Sequence, residues 1–502
     1  MEPDGMRAAR AVWLHWVLFT GALALVLMMP SAGSAEEPAP VPVQSWEAGA
    51  RKSFFIPALE IGGFIVGLNQ VDRHFIDAQE YGSNAHTFWR NLTSAAVIDN
   101  DPFSVNQLGH PYQGSIYYGF ARSAGLDYWQ SLLYTLGGSF LWETYGETTP
   151  PSLNDHIASG IAGTFVGEAL FRMASLLLEG SDPPGFWREL GATLLSPPTG
   201  FNRLVFGDRF AAVFPSRNPA MFMRLRFGAT LTTHVTNAGL ANDVIRQEGS
   251  LDFAMTYGLP GQPGYRYTRP FDYFHVEFTA VPNARSVPNA IENILIRGLL
   301  VGAPYEVGDT VRGVWGLLGN YDYLSPQIFR VSTTAVSLGT IAQWWLARAV
   351  ALQGTALSGI GFGAAGTVAD KDERDYHYGV IPRSLIGLRL LVDDRAMFEA
   401  TGRYYYVTGA GSGGGARAKH DGQEHIARVN VGGTVRVYGP HAIGIQYLMS
   451  SRDTSSSGFD RHQSVQTVSL TYNFLSHARF GAVEWRSGSP PAAERAAYVE
   501  EQ

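Results

Sequence analysis

From Met221 to Phe474, apolar and polar residues alternate along the chain with a period of two. In the first such segment, Arg224 and Arg226 fall on one face of an extended chain and Leu225 falls on the other. Because successive side chains of a β-strand point to opposite faces, the alternation predicts strands with one polar and one apolar face. Repeated along this region, the pattern predicts about twelve strands.

These predicted strands are long. They run for roughly ten residues or more, the length that crosses a bilayer at a tilt, whereas strands of soluble proteins average about five to six residues. Glycine is abundant at 57 of 502 residues, and only 16% of residues are charged. We therefore predict a transmembrane antiparallel β-barrel over residues 221–474, with a polar tail at 475–502. A soluble β-sandwich is the alternative.

The first half of the chain has a different pattern. Apolar runs too long for strands predict helices at about 54–75, 126–147 and 152–179. Pro150 and Pro151 separate the last two helices, because proline lacks the N–H that a helix interior requires. The predicted fold class is therefore mainly β with α, a helical domain followed by a barrel.

The helical domain is predicted at residues 53–200. Within it we expect irregular chain at 76–125 and a proline-rich stretch at 181–202, followed by a connector at 201–220. Charged residues interrupt the apolar helices, which makes lipid an unfavourable surrounding for them. We expect the helices to pack inside the barrel as a plug, or against its periplasmic mouth.

The start of the chain predicts export. In residues 1–35, Arg7 and Arg10 precede an apolar stretch and a small-residue cleavage site, the pattern of a secretory signal peptide. An uncleaved anchor helix is the alternative. Residues 36–52 read as a linker. The chain has no cysteine, which excludes thiol catalysis, and its net charge is −7. An acidic chain without a basic block argues against nucleic acid as a partner.

Titratable side chains in the helical domain are the candidate catalytic groups. They are His110, Glu143, Asp155 and His156. A histidine such as His110 can act as a general base, or it can be a hydrogen-bonded loop residue. Carboxylate-bridged metal sites in helix bundles use a Glu-x-x-His motif, and these helices lack one. We therefore expect no metal and no cofactor.

A second set of residues is predicted to form a structural polar network in the helices and the lumen. Glu168 and Arg172 are spaced to pair along one helix, and we expect Glu143 or Asp155 from the neighbouring helix turn to lie beside them. His275 with Glu277 could alternatively activate an inward serine. The lumen residues either pack the barrel interior or line a cavity for anions or lipid head groups. The whole set is Glu147, Asn154, Glu168, Arg172, Arg224, Arg226, Asp252, His275, Glu277, Glu399, Arg403, Arg428 and Arg436.

Several motifs of the helical domain resemble those of an uncharacterised Gram-negative outer-membrane family. They are DNDPF at 99–103, NQLGHPYQGSIYY at 106–118, SFLWE at 139–143, PSLND at 151–155 and GTFVGEALFR at 163–172. Members of that family have a signal peptide, a helical domain of unknown function and a C-terminal barrel. The resemblance implies the same architecture here and implies no particular activity.

Two functional hypotheses follow. The first is a non-enzymatic outer-membrane barrel, braced or plugged by its helices, that serves envelope integrity or the passage or binding of a small anionic or lipidic molecule. The alternative is a barrel enzyme that modifies lipid. The expected partners are outer-membrane lipid, the barrel-assembly machinery during insertion, and a small-molecule or lipid ligand.

Overall fold

The computed structural model describes most of the chain beyond the predicted export signal. The described residues are 51–180, 182–237, 240–241, 247–281, 290–368, 373–409, 422–456, 459–476 and 478–483. The predicted signal peptide at 1–35, nearly all of the predicted linker at 36–52 and the predicted tail beyond 483 lie outside these residues.

The second half of the chain is a closed antiparallel β-barrel of twelve strands, as predicted. Each strand pairs with its neighbours in sequence, and the first strand pairs with the last, so the sheet closes. A two-residue strand, Leu240–Ala241, extends the sheet beside the first strand. The strands are β1 Met221–Asn237, β2 Gln247–Tyr257, β3 Phe274–Ala280, β4 Ile291–Val307, β5 Val311–Leu324, β6 Phe329–Ala347, β7 Val350–Thr367, β8 Tyr376–Val392, β9 Ala396–Thr408, β10 Gln423–Tyr438, β11 His441–Ser456 and β12 Phe459–Leu475.

The two ends of the barrel differ. Four tight turns lie at one end, which we call the turn end, and the barrel also begins and finishes there. The other end, which we call the loop end, carries most of the longer connections, among them residues 368–375 between β7 and β8. Short turns on the periplasmic side and longer outer loops are typical of outer-membrane barrels. The turn end therefore resembles a periplasmic end, and the loop end resembles an outer end.

Helices account for most of the described residues between 51 and 209. The expectation of irregular chain at 76–125 is wrong, because helices occupy much of that stretch. Helices also occupy much of the proline-rich stretch at 181–202 and continue into the predicted connector at 201–220. We number the helices α1 Phe55–Phe75, α2 Ala85–Thr93, α3 His110–Ser123, α4 Tyr128–Leu141, α5 Leu153–Leu178, α6 Phe186–Leu195 and α7 Pro197–Phe206. Proline opens α7, where a missing N–H costs nothing.

Ion pairs cross the barrel interior. Arg224 of β1 lies 2.8 Å from Glu399 of β9, and Arg403 of β9 lies 2.8 Å from Glu277 of β3. Because these strands are not neighbours, each pair spans the lumen and occupies part of its cross-section. The polar face of the alternating pattern is therefore the lumen face.

Apolar side chains fill further parts of the lumen. A cluster toward the turn end consists of Tyr273, Leu295, Leu299, Val314, Leu318, Ile341, Leu357 and Leu385. A cluster toward the loop end consists of Leu324, Phe329, Val331, Ala365, Ile381, Tyr405, Val407 and Ile426. Ion pairs between two apolar clusters leave the barrel interior packed rather than open.

The chain after β12 folds back into the turn end. Ala478–Gly481 forms a short 3-10 helix, and the buried ring of Phe480 packs against Phe222 of β1. Arg389 of β8 donates to the Phe480 carbonyl at 3.1 Å. The first described residues of the predicted polar tail at 475–502 are therefore packed against the barrel, because they form a plug in its mouth.

The helical domain packs against the outer wall of the barrel. Phe253, Val276 and Ile294 point outward from β2, β3 and β4, and they form one buried cluster with Phe165 and Leu170 of α5. The expectation that the helices lie inside the barrel or at its mouth is wrong. Apolar outward-facing residues do not reveal whether lipid or protein covers them, and here protein covers them.

Polar contacts hold the domain in place at both ends of the wall. At the loop end, Asn106 donates to the hydroxyls of Tyr376 and Tyr378 on the outer face of β8, each at 3.0 Å. Toward the turn end, Arg172 lies 3.3 Å from Asp272 in the connection between β2 and β3. The domain therefore contacts the barrel over much of its height.

The rest of the outer wall carries exposed apolar side chains. They include Phe227, Trp315, Leu338, Ile360, Ile386, Phe398, Val431, Ile445 and Leu470. An apolar belt around a closed barrel is the surface that a bilayer covers. The barrel thus has one wall that faces helices and another that is suited to lipid.

Candidate functional site

Three π-helical segments meet in the helical domain. They are Val105–Gly109 before α3, Trp142–Gly146 after α4 and His156–Ala162 within α5. A π-helical turn is uncommon and occurs frequently at functional sites. Here the segments carry or adjoin several buried polar side chains, among them Asn106, His110, Glu143, Asp155 and Ser159.

A histidine, a serine and an aspartate form a buried array at this meeting point. His110 Nδ1 lies 3.1 Å from Ser159 Oγ, and His110 Nε2 lies 3.6 Å from Asp155 Oδ1. All three side chains are buried. The histidine is in position to exchange a proton with the serine hydroxyl, an arrangement that nucleophilic catalysis uses.

Amide side chains connect this array to the barrel. The side-chain N–H groups of Asn154 donate to Asp155 Oδ1 at 2.9 Å, to Asp99 Oδ1 at 3.0 Å and to the Tyr378 hydroxyl at 2.8 Å. Asn106 donates to the same Asp99 oxygen at 2.7 Å. The polar network of the helical domain therefore continues to the outer wall of β8.

Glu143 and Glu147 are two further buried carboxylates of the helical domain. Glu143 Oε2 accepts the backbone N–H of Ser152 at 2.8 Å, and Glu147 Oε1 accepts the indole N–H of Trp142 at 2.8 Å. Burial, with repulsion from Asp101, raises the pKa of Glu147 to about 8. Glu147 is therefore mostly protonated at neutral pH.

The four candidate catalytic residues do not form one group. His110 and Asp155 approach each other, and Glu143 lies nearby, where its charge acts on Asp155. His156 instead lies 2.9 Å from Ser139 of α4 through its Nδ1 atom. The structure therefore separates His156 from the His110 array.

A large cavity, which we call the groove, runs along α3 between α1 and the α6–α7 pair. Its volume is about 1210 Å³. Apolar side chains form most of its walls, among them Phe64, Leu68, Ile116, Phe120, Leu190 and Phe201, and His110 also lines it. A cavity of this size with apolar walls matches the sites that hold small molecules or lipid chains.

The groove ends in a group of carboxylates toward the loop end of the barrel. We call this group the acidic end; its members are Asp72, Asp77, Glu80, Asp101 and Glu147. Burial raises the pKa of Asp101 to about 6, and repulsion from Asp99 adds to the rise. Burial and the charge of Asp77 also raise the pKa of Glu80. Burial is the main cause of both shifts, and repulsion between the carboxylates adds to it.

Glu168 has two arginine partners in the core of the domain. Its carboxylate lies 2.8 Å from Arg122 Nε and 2.7 Å from Arg172 Nε. The sequence predicted the pair with Arg172 but placed Glu143 or Asp155 beside it. That placement is wrong, because Arg122 and the barrel residue Asp272 complete the network. This arrangement is structural, since each buried charge has an opposite charge beside it.

The predicted lumen residues lie on the inner wall. Arg226 shares Glu399 with Arg224, and Asp252 lies 3.2 Å from Arg224. His275 Nε2 lies 3.0 Å from Glu277.

Two further predicted arginines lie nearer the ends of the barrel. Arg428 pairs with Glu292 at 2.9 Å. Arg436 donates to the Asp394 carbonyl at 2.8 Å and stacks on Phe480 of the plug. Among the described residues, no three His, Asp or Glu side chains are grouped so that they could hold a metal ion.

Some residues of the site were not singled out from the sequence. They are Ser159, Asp99, Asn106, Tyr376 and Tyr378. Asp99 and Asn106 begin two of the motifs that carry the family resemblance, so that signal was available. The two tyrosines look like ordinary outward-facing aromatic residues of a strand, and only their contact with the helices reveals their role.

Comparisons with known proteins agree with this architecture. Residues 95–198 match a family model described as "Domain of unknown function (DUF3943)", which confirms the predicted domain of unknown function. The matched segment contains all three π-helical segments and the His110 array. No curated protein sequence matches the chain.

Solved structures of membrane channels show a low similarity. The COG4313 outer membrane channel from Pseudomonas putida F1 is 8% identical with a TM-score of 0.29, covering 51% of this chain and 95% of that one. The NanC porin is 10% identical with a TM-score of 0.24, covering 50% and 98%. The TodX monoaromatic hydrocarbon channel deltaS2 mutant is 8% identical with a TM-score of 0.21, covering 51% and 90%.

Proposed function

We propose that this protein is an outer-membrane barrel whose helical domain binds a lipidic molecule in the groove. The groove itself carries the proposal, with its volume of about 1210 Å³ and its mostly apolar walls. The barrel acts as the anchor and brace, because its outer wall supports the helices that form the groove.

The packed lumen favours binding over passage. Ion pairs such as Arg224–Glu399 cross it, apolar clusters fill it toward both ends, and the plug at Phe480 occupies its mouth. A small anion or lipid passing through the barrel would have to displace these contacts. The groove requires no such rearrangement.

The position of the groove supports a ligand drawn from the membrane. Leu204 and Phe186 line the groove and are exposed at its rim, and the domain covers a wall that lipid would otherwise contact. Apolar surface of this kind on a membrane-anchored protein favours contact with acyl chains. Outer-membrane lipid is therefore the proposed partner, and the barrel-assembly machinery is the proposed partner during insertion.

Filling the groove tests the proposal. Leu190→Trp adds bulk to the groove wall, whereas Leu133→Trp adds the same bulk to a residue of α4 that is 68% exposed. We expect native mass spectrometry to find co-purified lipid on the wild type and on Leu133→Trp, and to find it lost from Leu190→Trp. Equal lipid occupancy in both variants would contradict the proposal. Cells that carry Leu190→Trp should lose envelope integrity, and cells that carry Leu133→Trp should keep it.

A lipid-modifying enzyme is the second candidate, and one observation favours it. His110 lines the groove and contacts Ser159 and Asp155. If the array is catalytic, His110→Gln should change the lipid A or phospholipid composition of cells, and His156→Gln should not. Unchanged composition in both variants, with lipid still bound, would leave binding as the function.

A further inference from the structure

The acidic end of the groove has more acidic than basic side chains. Five carboxylates line it, and Arg374 is the cationic side chain that lines the groove beside them. That arginine is already engaged, with Asp101 at 3.5 Å and with the Asn100 carbonyl at 2.9 Å. A ligand whose apolar chain lies along α3 would place its head against these carboxylates.

At the opposite end of the groove, the arginine found among the described lining residues is also engaged. Arg203 lies 2.7 Å from Glu189 and donates to the Ala211 carbonyl. Asp208 adds another carboxylate to the lining there. An anionic head group would therefore meet arginines that already have carboxylate partners, with further carboxylates beside them, which is an unfavourable environment.

We infer that the ligand of the groove is an amphiphile with a protonated amine head, seated with its amine at the acidic end. This inference rests on the proposed function and specifies its ligand class. The carboxylates supply the charge complementarity, and the apolar walls along Phe64, Ile116 and Phe120 receive the chain. An uncharged or anionic amphiphile of the same length lacks the attraction to the carboxylates.

Binding of a cation should also release protons. Burial raises the pKa of Glu147 to about 8, so this carboxylate holds a proton in part near neutral pH, and burial raises the pKa values of Asp101 and Glu80 as well. An ammonium group beside them favours the ionised form. Calorimetric titration in two buffers of different ionisation enthalpy should therefore show proton release that accompanies the amine and is absent with an alcohol.

The decisive experiment compares three chains of equal length. Because the chain has no cysteine, Leu204→Cys at the groove rim, where this residue is 84% exposed, gives a single site for an environment-sensitive fluorophore. The labelled protein is placed in phosphatidylcholine nanodiscs and titrated with dodecylamine, dodecanol or dodecanoate. We expect dodecylamine to bind roughly tenfold more tightly than dodecanol, the ratio that corresponds to about 1.4 kcal/mol, and dodecanoate to bind more weakly than either.

Charge-removing variants assign the preference to the acidic end. Glu80→Gln combined with Glu147→Gln should abolish the preference for the amine while leaving dodecanol binding intact, which also shows that the groove has folded. Asp208→Asn removes a charge from the other end and should leave the preference unchanged. A preference that disappears only with Asp208→Asn would overturn the inference.

The outcomes separate the inference from the function on which it rests. If none of the three chains binds, the proposed lipid-binding function fails. If all three bind equally well, the groove takes a chain but does not select an amine, and the inference alone fails. Tighter binding of dodecanoate would overturn the inference in favour of recognition by Arg374 or Arg203.

Discussion

Gly114 sets how closely α3 and α5 approach. A Cβ atom added there would lie 1.8 Å from the Ser159 carbonyl oxygen, and one added at Gly163 would lie 2.6 Å from the Gly114 Cα. The two backbones are therefore in contact, and this contact places His110 beside Ser159. Glycine is required at these positions for space, since backbone atoms cannot move aside as a flexible side chain can.

Gly114→Ala should destabilise the helical domain by about 1–3 kcal/mol, the range for overpacking a tight contact. Gly137→Ala on α4 is the matched control, because a Cβ added there meets nothing within 4 Å, and alanine is favoured over glycine in a helix by about 1 kcal/mol. Thermal denaturation followed by helical circular dichroism should move in opposite directions for the two variants. A similar effect of both would show that the close approach is absent.

Glu147 should make the helical domain less stable as pH rises. Its pKa rises from 4.5 to about 8 on folding, so between these values the folded state holds a proton that the unfolded state has released. The free energy of unfolding therefore falls as pH rises through this window, by at most about 1.4 kcal/mol per pH unit for one group. Asp101 and Glu80, whose pKa values are also raised, act in the same direction.

Denaturation midpoints measured from pH 5 to pH 8 test this prediction. The wild type should be more stable at pH 5, and Glu147→Gln should have a shallower slope because glutamine does not titrate. If stability instead rises with pH across this range, the buried carboxylates are ionised and the assignment of Glu147 is wrong.

At the scale of elements, the alternation of each strand fixes its two faces. Val431 of β10 points outward and is 47% exposed, whereas its neighbour Asn430 points into the lumen and accepts a hydrogen bond from Gln446 at 2.7 Å. Val431→Arg should impair insertion, because arginine on the lipid face near the midplane costs about 2–4 kcal/mol.

Asn430→Arg is the control, since it adds the same side chain to the polar lumen face. The boiling-dependent shift of the barrel on SDS gels should be lost or reduced for Val431→Arg and retained for Asn430→Arg. Equal damage from both would mean that the register of β10 is wrong.

The elements that sequence predicted well are those with one regular face. Period-two alternation identified the barrel and its lumen arginines, because the pleat of a strand allows only two directions for each side chain. Helix α3 was missed for the opposite reason. Most of its residues from His110 to Ser123 are buried, so it lacks an apolar stripe, and glycine and proline make its sequence look like a loop.

The placement of the helices against the barrel could not be predicted from the strands. The alternation predicts that Phe253 points outward, the face that lipid covers in a bare barrel, and it does point outward, but α5 covers it completely. An apolar side chain is equally suited to lipid and to a protein core. The information lies instead in polar residues at the contact, such as Asn106 and Tyr378, and their partners are distant in sequence.

At the scale of the whole molecule, Tyr378 connects the helical domain to the barrel. Its hydroxyl receives hydrogen bonds from Asn106 at 3.0 Å, Gln107 at 3.2 Å and Asn154 at 2.8 Å. Tyr378→Phe leaves buried amide donors without this acceptor, at a cost of about 1–3 kcal/mol for an unsatisfied group. We expect looser docking and faster cleavage of the helical domain in limited proteolysis.

Tyr404→Phe serves as the control for Tyr378→Phe. Tyr404 also lies on the outer wall, but its hydroxyl makes an exposed contact with His425 at 2.6 Å. Its proteolysis pattern should match that of the wild type. Unchanged cleavage in Tyr378→Phe would show that apolar packing alone holds the domain.

The plug at Phe480 has a consequence for the order in which the molecule is made. It contacts Phe222 on β1 and Arg389 on β8, and the neighbouring Val483 accepts a hydrogen bond from Gln343 on β6. These strands surround a common mouth only after the last strand has closed against the first. The plug is also the last described part of the chain to leave the ribosome. It can therefore bind in the mouth only after the barrel has closed.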